Sequence, residues 1–150
     1  MNLFNPSRDE VREFFFTTWS KYKSQESLTE MEKIAINIIH MHPEYHSFLD
    51  APDKFKQQDY FPEYGESNPF LHMSLHISIL EQISINQPIG ISSIYETLKN
   101  KHHNRHKAES EHFAQHDMLE CLAETIWLAQ RNNTGLDPEH YLQLLKHKAI

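Results

Sequence analysis

The sequence predicts an all-α protein: a single-domain helical bundle of about five to six helices over residues 1–150, with one long loop at about residues 51–67. Three observations carry this. The chain has only three glycines. Alternating β-branched runs are scarce, while apolar residues recur at helical spacing. Histidines also fall at helical spacing. The chain holds 12, forming the i,i+4 pairs His42/His46, His72/His76, His102/His106 and His112/His116, where about one such pair is expected by chance; that spacing selects one face of a helix.

The elements follow in order. Ser7 caps a first helix and Glu10 completes a capping box. Val11, Phe14, Phe15, Thr18 and Tyr22 then form one buried face, with Trp19 at its flank. Ser27-Leu28-Thr29-Glu30-Met31-Glu32 opens a second helix, in which Met31, Ala35, Ile38, Ile39 and His42 share a face. Pro43 interrupts it, either kinking that helix or starting a new one with His42 as its cap. Tyr60, Phe61 and Tyr64 are expected to pin the 51–67 loop to the body. Asn68 caps a third helix with Pro69 at its first position, running to about Ile85. Its stripe is His72, His76, Ile79 and Ile83, and Ser74 faces away from the histidines. A shorter helix spans 91–101 with Ile94, Tyr95 and Leu98 inward, and 102–106 reads as an exposed turn or frayed end. The longest helix runs from about Ala108 to Arg131, with His112, His116, Leu119, Ala123, Ile126 and Gln130 along one face. Asn132-Asn133-Thr134-Gly135 stops it, and Asp137-Pro138 starts a last helix.

Composition excludes several function classes. A net charge of −7 with neutral histidines disfavours nucleic acid as a partner, because phosphate binding needs a basic surface. No apolar run is long enough for a membrane span, and the first eight residues lack a secretory pattern. The single cysteine, Cys121, rules out an intramolecular disulfide and a cysteine zinc knuckle. A cytoplasmic protein is expected, with a homo-oligomer, a small molecule or a protein partner left open.

The chemistry lies in the histidines. Two imidazoles at i,i+4 can converge on one ion, and neutral imidazole suits iron, zinc, nickel and copper. Helical bundles that bury such pairs beside a carboxylate build non-haem metal centres. His72, His76, His112 and His116 are therefore the candidate first ligands, with their two helices expected to face one point. Glu120 completes the row His112-x-x-x-His116-x-x-x-Glu120 as a terminal or bridging carboxylate. His42 and His46 are the next candidates, for a second ion or the mouth of the site. Glu109-x-x-His112 matches the di-iron spacing only once, so the full di-iron pattern is absent. Cys121 lies opposite His112 on the helical wheel and is no ligand. The His102–His106 cluster, with no apolar neighbours expected to organise it, reads as incidental.

The competing reading is that each buried histidine merely fills space and bonds to a carbonyl or carboxylate. Several imidazoles facing each other each need a partner, which favours a metal. The function expected is a His/Glu metal site holding non-haem iron or zinc, with redox or oxygen chemistry. The alternatives are a non-catalytic interaction module with a histidine-lined core, and a metal-dependent hydrolase or transferase on a three-histidine bundle. Phosphate-loop, His-Glu-x-x-His and nucleophile-elbow motifs are missing, and no catalytic residue is assigned.

Five stretches in order carry a family resemblance: Phe4-Asn5-Pro6-Ser7-Arg8, His42-Pro43-Glu44-Tyr45-His46, Asn68-Pro69-Phe70-Leu71-His72-Met73-Ser74-Leu75-His76, Gln87-Pro88-Ile89-Gly90-Ile91 and His116-Asp117-Met118-Leu119-Glu120-Cys121-Leu122-Ala123-Glu124. With these the chain resembles, over nearly its whole length, the bacterial family catalogued as domain of unknown function 1841. The resemblance implies a small protein found mainly in Gram-negative bacteria and carries no activity with it. Its motifs coincide with the histidine pairs chosen from spacing, which favours a site over a plain core.

Overall fold

Helix starts are fixed by short-range bonds. The Ser7 hydroxyl accepts from the Glu10 amide at 3.2 Å, and Asn68 accepts from Phe70 and Leu71 at 3.0 and 3.2 Å. Asp137 accepts from Glu139 and His140. Thr29 and Glu32 form a reciprocal capping box. Each satisfies amides that the first turn of a helix leaves without an internal acceptor.

A computed structural model describes residues 7–60, 68–105 and 107–150. These form α1 (Arg8–Lys23), α2 (Glu30–His40), a 3-10 turn (Pro43–Tyr45), α3 (His46–Leu49), α4 (Pro52–Phe55), α5 (Pro69–Ile85), α6 (Ile91–His103), α7 (Ser110–Asn132) and α8 (Pro138–Ala149). The all-α class holds, with no strand among the described residues. Among the described residues, eight helices replace the expected five to six. The additional ones, α3 and α4, are four residues each, too short to show a hydrophobic period. Pro52 sets the first turn of α4, so part of the expected 51–67 loop is helical. Tyr60 does pack, 6.5 Å from the Phe70 ring. Phe61 and Tyr64 lie outside the described residues, as do Phe4 to Pro6 and His106. No helix of the described residues is long and apolar enough to cross a membrane.

Contacts divide the chain into two units, Met1–Ile77 and Ser78–Ile150, the division falling within α5. In the first unit α1 packs on α2 and α3. Phe15, Ala35, Ile38, Ile39 and Met73 are at most 1 % exposed. Phe70 holds Phe16 and Phe48 edge-on at 5.5 and 5.4 Å, and full burial of each such ring contributes about 1.5–3 kcal/mol. The buried face of α1 is Arg12, Phe15, Phe16, Thr18 and Trp19. Tyr22, expected inside, is 43 % exposed, and Trp19, expected at the flank, is buried.

In the second unit α6, α7 and α8 pack pairwise. Ile94, Tyr95 and Leu98 of α6 point inward as expected. The Tyr141 hydroxyl donates to Gln82 at 2.7 Å. On α7 the buried face is Ala114, Met118, Cys121, Leu122, Thr125 and Ala129, joined by Leu119. Ala123 and Gln130, expected inward, are exposed. Both α6 and α8 cover α7, which turns its core side away from the histidine row.

The capping box yields a first prediction. Thr29→Ala is expected to lower stability by about 0.5–2 kcal/mol in urea unfolding. The Glu32 carboxyl is held below its ordinary range, first by the Thr29 amide; burial opposes this and Lys21 adds to it. A depressed folded value stabilises above the unfolded value and is lost as pH falls through the folded one. The stability difference between the natural chain and Glu32→Gln should therefore exist at neutral pH and vanish in acid.

Candidate metal centre

Proline at 43 decides where His42 goes. It cannot donate a helical amide bond, so α2 stops at His40 and His42 caps the following 3-10 turn at φ −128°, ψ 67°. That half-extended backbone sends the imidazole inward, to 2 % exposure. Its Nδ1 lies 2.8 Å from the Ile38 carbonyl oxygen. A carbonyl only accepts, so Nδ1 carries the proton and donates it. In the neutral ring, Nε2 is then the nitrogen with the lone pair, the usual preparation of a metal-ligating histidine.

His72 and His76 come from the first half of α5, one turn apart. Their Nε2 atoms are 3.2 Å apart, and His72 Nε2 is 3.0 Å from His42 Nε2. All three ring centroids are 4.8–4.9 Å from one another. His76 is fully buried and His72 half-buried. Tyr45 covers the group, stacked on His42 at 5.1 Å and 4°. Burial pushes the Tyr45 phenol up to about 12, with a smaller push from Glu44.

His42 Nε2 only accepts while the ring is neutral. The 3.0 Å contact then needs a proton on His72 Nε2, and the same proton must also serve His76. A cation accepts three lone pairs at once. Zinc–nitrogen bonds of about 2.0–2.1 Å in a tetrahedron separate ligand nitrogens by roughly 3.3 Å, close to the spacings found here.

His46 goes elsewhere. The helical period assumed for the 42/46 pair is broken by the 3-10 turn between them. His46 Nε2 donates to the Ile39 carbonyl at 3.0 Å, and its ring stacks on Trp19 at 4.6 Å. His46→Phe is accordingly expected to leave metal content unchanged, measured by elemental analysis.

In the second unit His112 and His116 form a half-buried pair on α7, with Nε2 atoms 3.0 Å apart and rings at 4.2 Å. Glu120, next in the row, is directed to α8: its carboxylate accepts from Lys148 at 2.7 Å, and its side chain is 67 % exposed. Glu109 caps α7 and is exposed. Cys121 is 3 % exposed, and burial pushes its thiol up to about 11, so it is a protonated core residue.

His102 departs from its expected incidental role. It lies within the last turn of α6, its Nε2 is 2.6 Å from Asp117, and its ring stacks on Phe113 at 5.6 Å and 27°. Phe113 and Asp117 are themselves an i,i+4 pair. That spacing was the available signal for an apolar and acidic seat on α7. His103 is exposed.

A family model described as domain of unknown function (DUF1841) matches residues 7–147. No curated protein and no solved structure matches the chain.

Proposed function

The chain belongs to the family described as domain of unknown function (DUF1841), and we propose that it is a metal-binding helical protein whose ion, zinc or non-haem iron, is held by His42, His72 and His76. The observation that carries this reading is that His72 Nε2 lies 3.0 Å from His42 Nε2 and 3.2 Å from His76 Nε2, with the His42 proton committed to the Ile38 carbonyl. Neutral nitrogen donors suit Zn(II) and Fe(II) alike. Three protein ligands leave a position for water or a small molecule, the condition for Lewis-acid chemistry with zinc or oxygen chemistry with iron. In the second unit, His112 and His116 are proposed as a donor pair of their own. Glu120 and His46 recede as ligands because their polar atoms serve Lys148 and Ile39.

The test is elemental analysis of untagged protein purified without chelator, with zinc and ferrous iron titrations of the stripped chain. About one equivalent of zinc or iron per chain is expected, lost in His72→Ala. A natural chain that carries neither ion and takes up neither would end the proposal. Metal content of His112→Ala reports whether the α7 pair holds metal of its own.

A second reading has its own support: one proton on His72 Nε2, donated to both neighbours, would satisfy the three rings as part of a polar core. That reading makes the chain a non-catalytic interaction module, and it requires melting to be indifferent to chelator.

A further inference from the structure

We propose that the first unit carries a second site, independent of the histidines, which binds a small carboxylate with a short hydrocarbon body between α1 and the start of α5. The first observation is Arg12. It is 2 % exposed, and its Nη1 donates to the carbonyls of Lys56 and Gln58 at 2.9 and 2.7 Å. Its guanidinium lies 4.8 Å from the Phe70 ring and 5.6 Å from that of Tyr60. These contacts fix the plane of the group without neutralising it, and no carboxylate of the described residues forms an ion pair with it. Buried charges are ordinarily paired. Burial first, and then Arg8, lower its pKa, partly offset by Tyr60, Asp59 and Asp9. An anion beside the guanidinium would oppose both lowering effects.

The second observation is the space beside it. A cavity of about 310 Å³ is lined by Arg8 and Arg12 on one side and by Val11, Phe70 and Leu71 on the other. Asn68 and Ser74 complete it. Arg8 is already held by Asp59 at 2.7 Å and by the Gln57 carbonyl, so Arg12 supplies most of the unmet charge. Asn68 uses its side-chain oxygen to cap α5, which turns its amide NH2 to donate. Guanidinium recognises carboxylate through two parallel N–H bonds. The aliphatic and aromatic wall asks for hydrocarbon, which inorganic phosphate lacks. At about 30 Å³ per water-sized group, the cavity holds roughly ten such groups, the size of a six- to eight-carbon carboxylate.

The experiment is isothermal titration of the whole chain with hexanoate, 1-hexanol and inorganic phosphate. Hexanoate should bind, and hexanol and phosphate should each bind about 10-fold or more weakly. Arg12→Met should weaken hexanoate by about 10- to 100-fold. Because a buried arginine can be needed for folding, Leu71→Trp provides the second arm. Leu71 is 56 % exposed, so tryptophan can fill the cavity with Arg12 left in place, and hexanoate binding should be lost. The proposal fails if hexanoate does not bind the natural chain, if hexanol or phosphate binds as tightly, or if Leu71→Trp binds hexanoate unchanged. Metal content should not change in Leu71→Trp, which keeps this outcome separate from that of the histidine site.

Discussion

Alanine at position 42 is expected to remove the ion and the chain's sensitivity to chelator together. The natural chain, saturated at about 100 times the dissociation constant, gains about 2.7 kcal/mol from the ion. Chelator should therefore lower its melting temperature, while His42→Ala should melt at the same temperature with and without chelator. The variant also starts lower. Its ring is 2 % exposed, bonded to Ile38 and stacked under Tyr45, so truncation leaves a void and removes one of the two hydrogen bonds to the Ile38 carbonyl, a loss of about 2–4 kcal/mol. His72→Ala separates these two effects. His72 is half-buried, so it should lose the ion with a smaller packing loss. Melts followed by circular dichroism with and without chelator, at one protein concentration, check all three chains. An equal chelator shift in His42→Ala and the natural chain would place the ion elsewhere.

Trp19→Ala is expected to be the most destabilising single change that leaves the histidine triad intact, at about 3–5 kcal/mol by urea unfolding. The indole is buried, stacks on His46 at 4.6 Å and Tyr22 at 5.8 Å, and donates Nε1–H to Asp50 at 2.7 Å. Trp19→Phe keeps most of the packing and loses that bond, so its loss is smaller and depends on pH. The Asp50 carboxyl is held below its ordinary range, by Lys23 first and Trp19 second. A depressed carboxyl stabilises above its unfolded value, and the contribution fades as pH falls through the folded value. The penalty of Trp19→Phe should thus shrink in acid, while that of Trp19→Ala persists. Neither variant should lose metal.

The start signals were legible because each is written within three residues. Ser7, Asn68 and Asp137 cap the helices they were expected to cap, and the second helix starts inside the stretch 27–32 read as its opening, with Thr29 and Glu32 as the capping box. Features that depend on distant partners were not legible. The seat of His42 beside His72 spans 30 residues, and Glu120 turns toward Lys148, 28 residues on. The helical wheel misjudged α7 because α6 and α8 both cover it, so its core side follows neighbours that the local pattern does not specify. It separated His46 from His42 no better, since a 3-10 turn replaces the assumed period. The one-turn helices α3 and α4 are shorter than the pattern needed to see them.

Cys121 makes the second unit its own clock. A thiol that is 3 % exposed and held protonated reacts with a small disulfide reagent only in moments when α7 parts from its neighbours. When reclosing outruns the reagent, the modification rate is the opening equilibrium multiplied by the rate of an open thiol. With one cysteine in the chain, every labelling event has a single address. The chain thus reports the free energy of local opening at α7 without an introduced probe, under fully native conditions and at any chosen temperature.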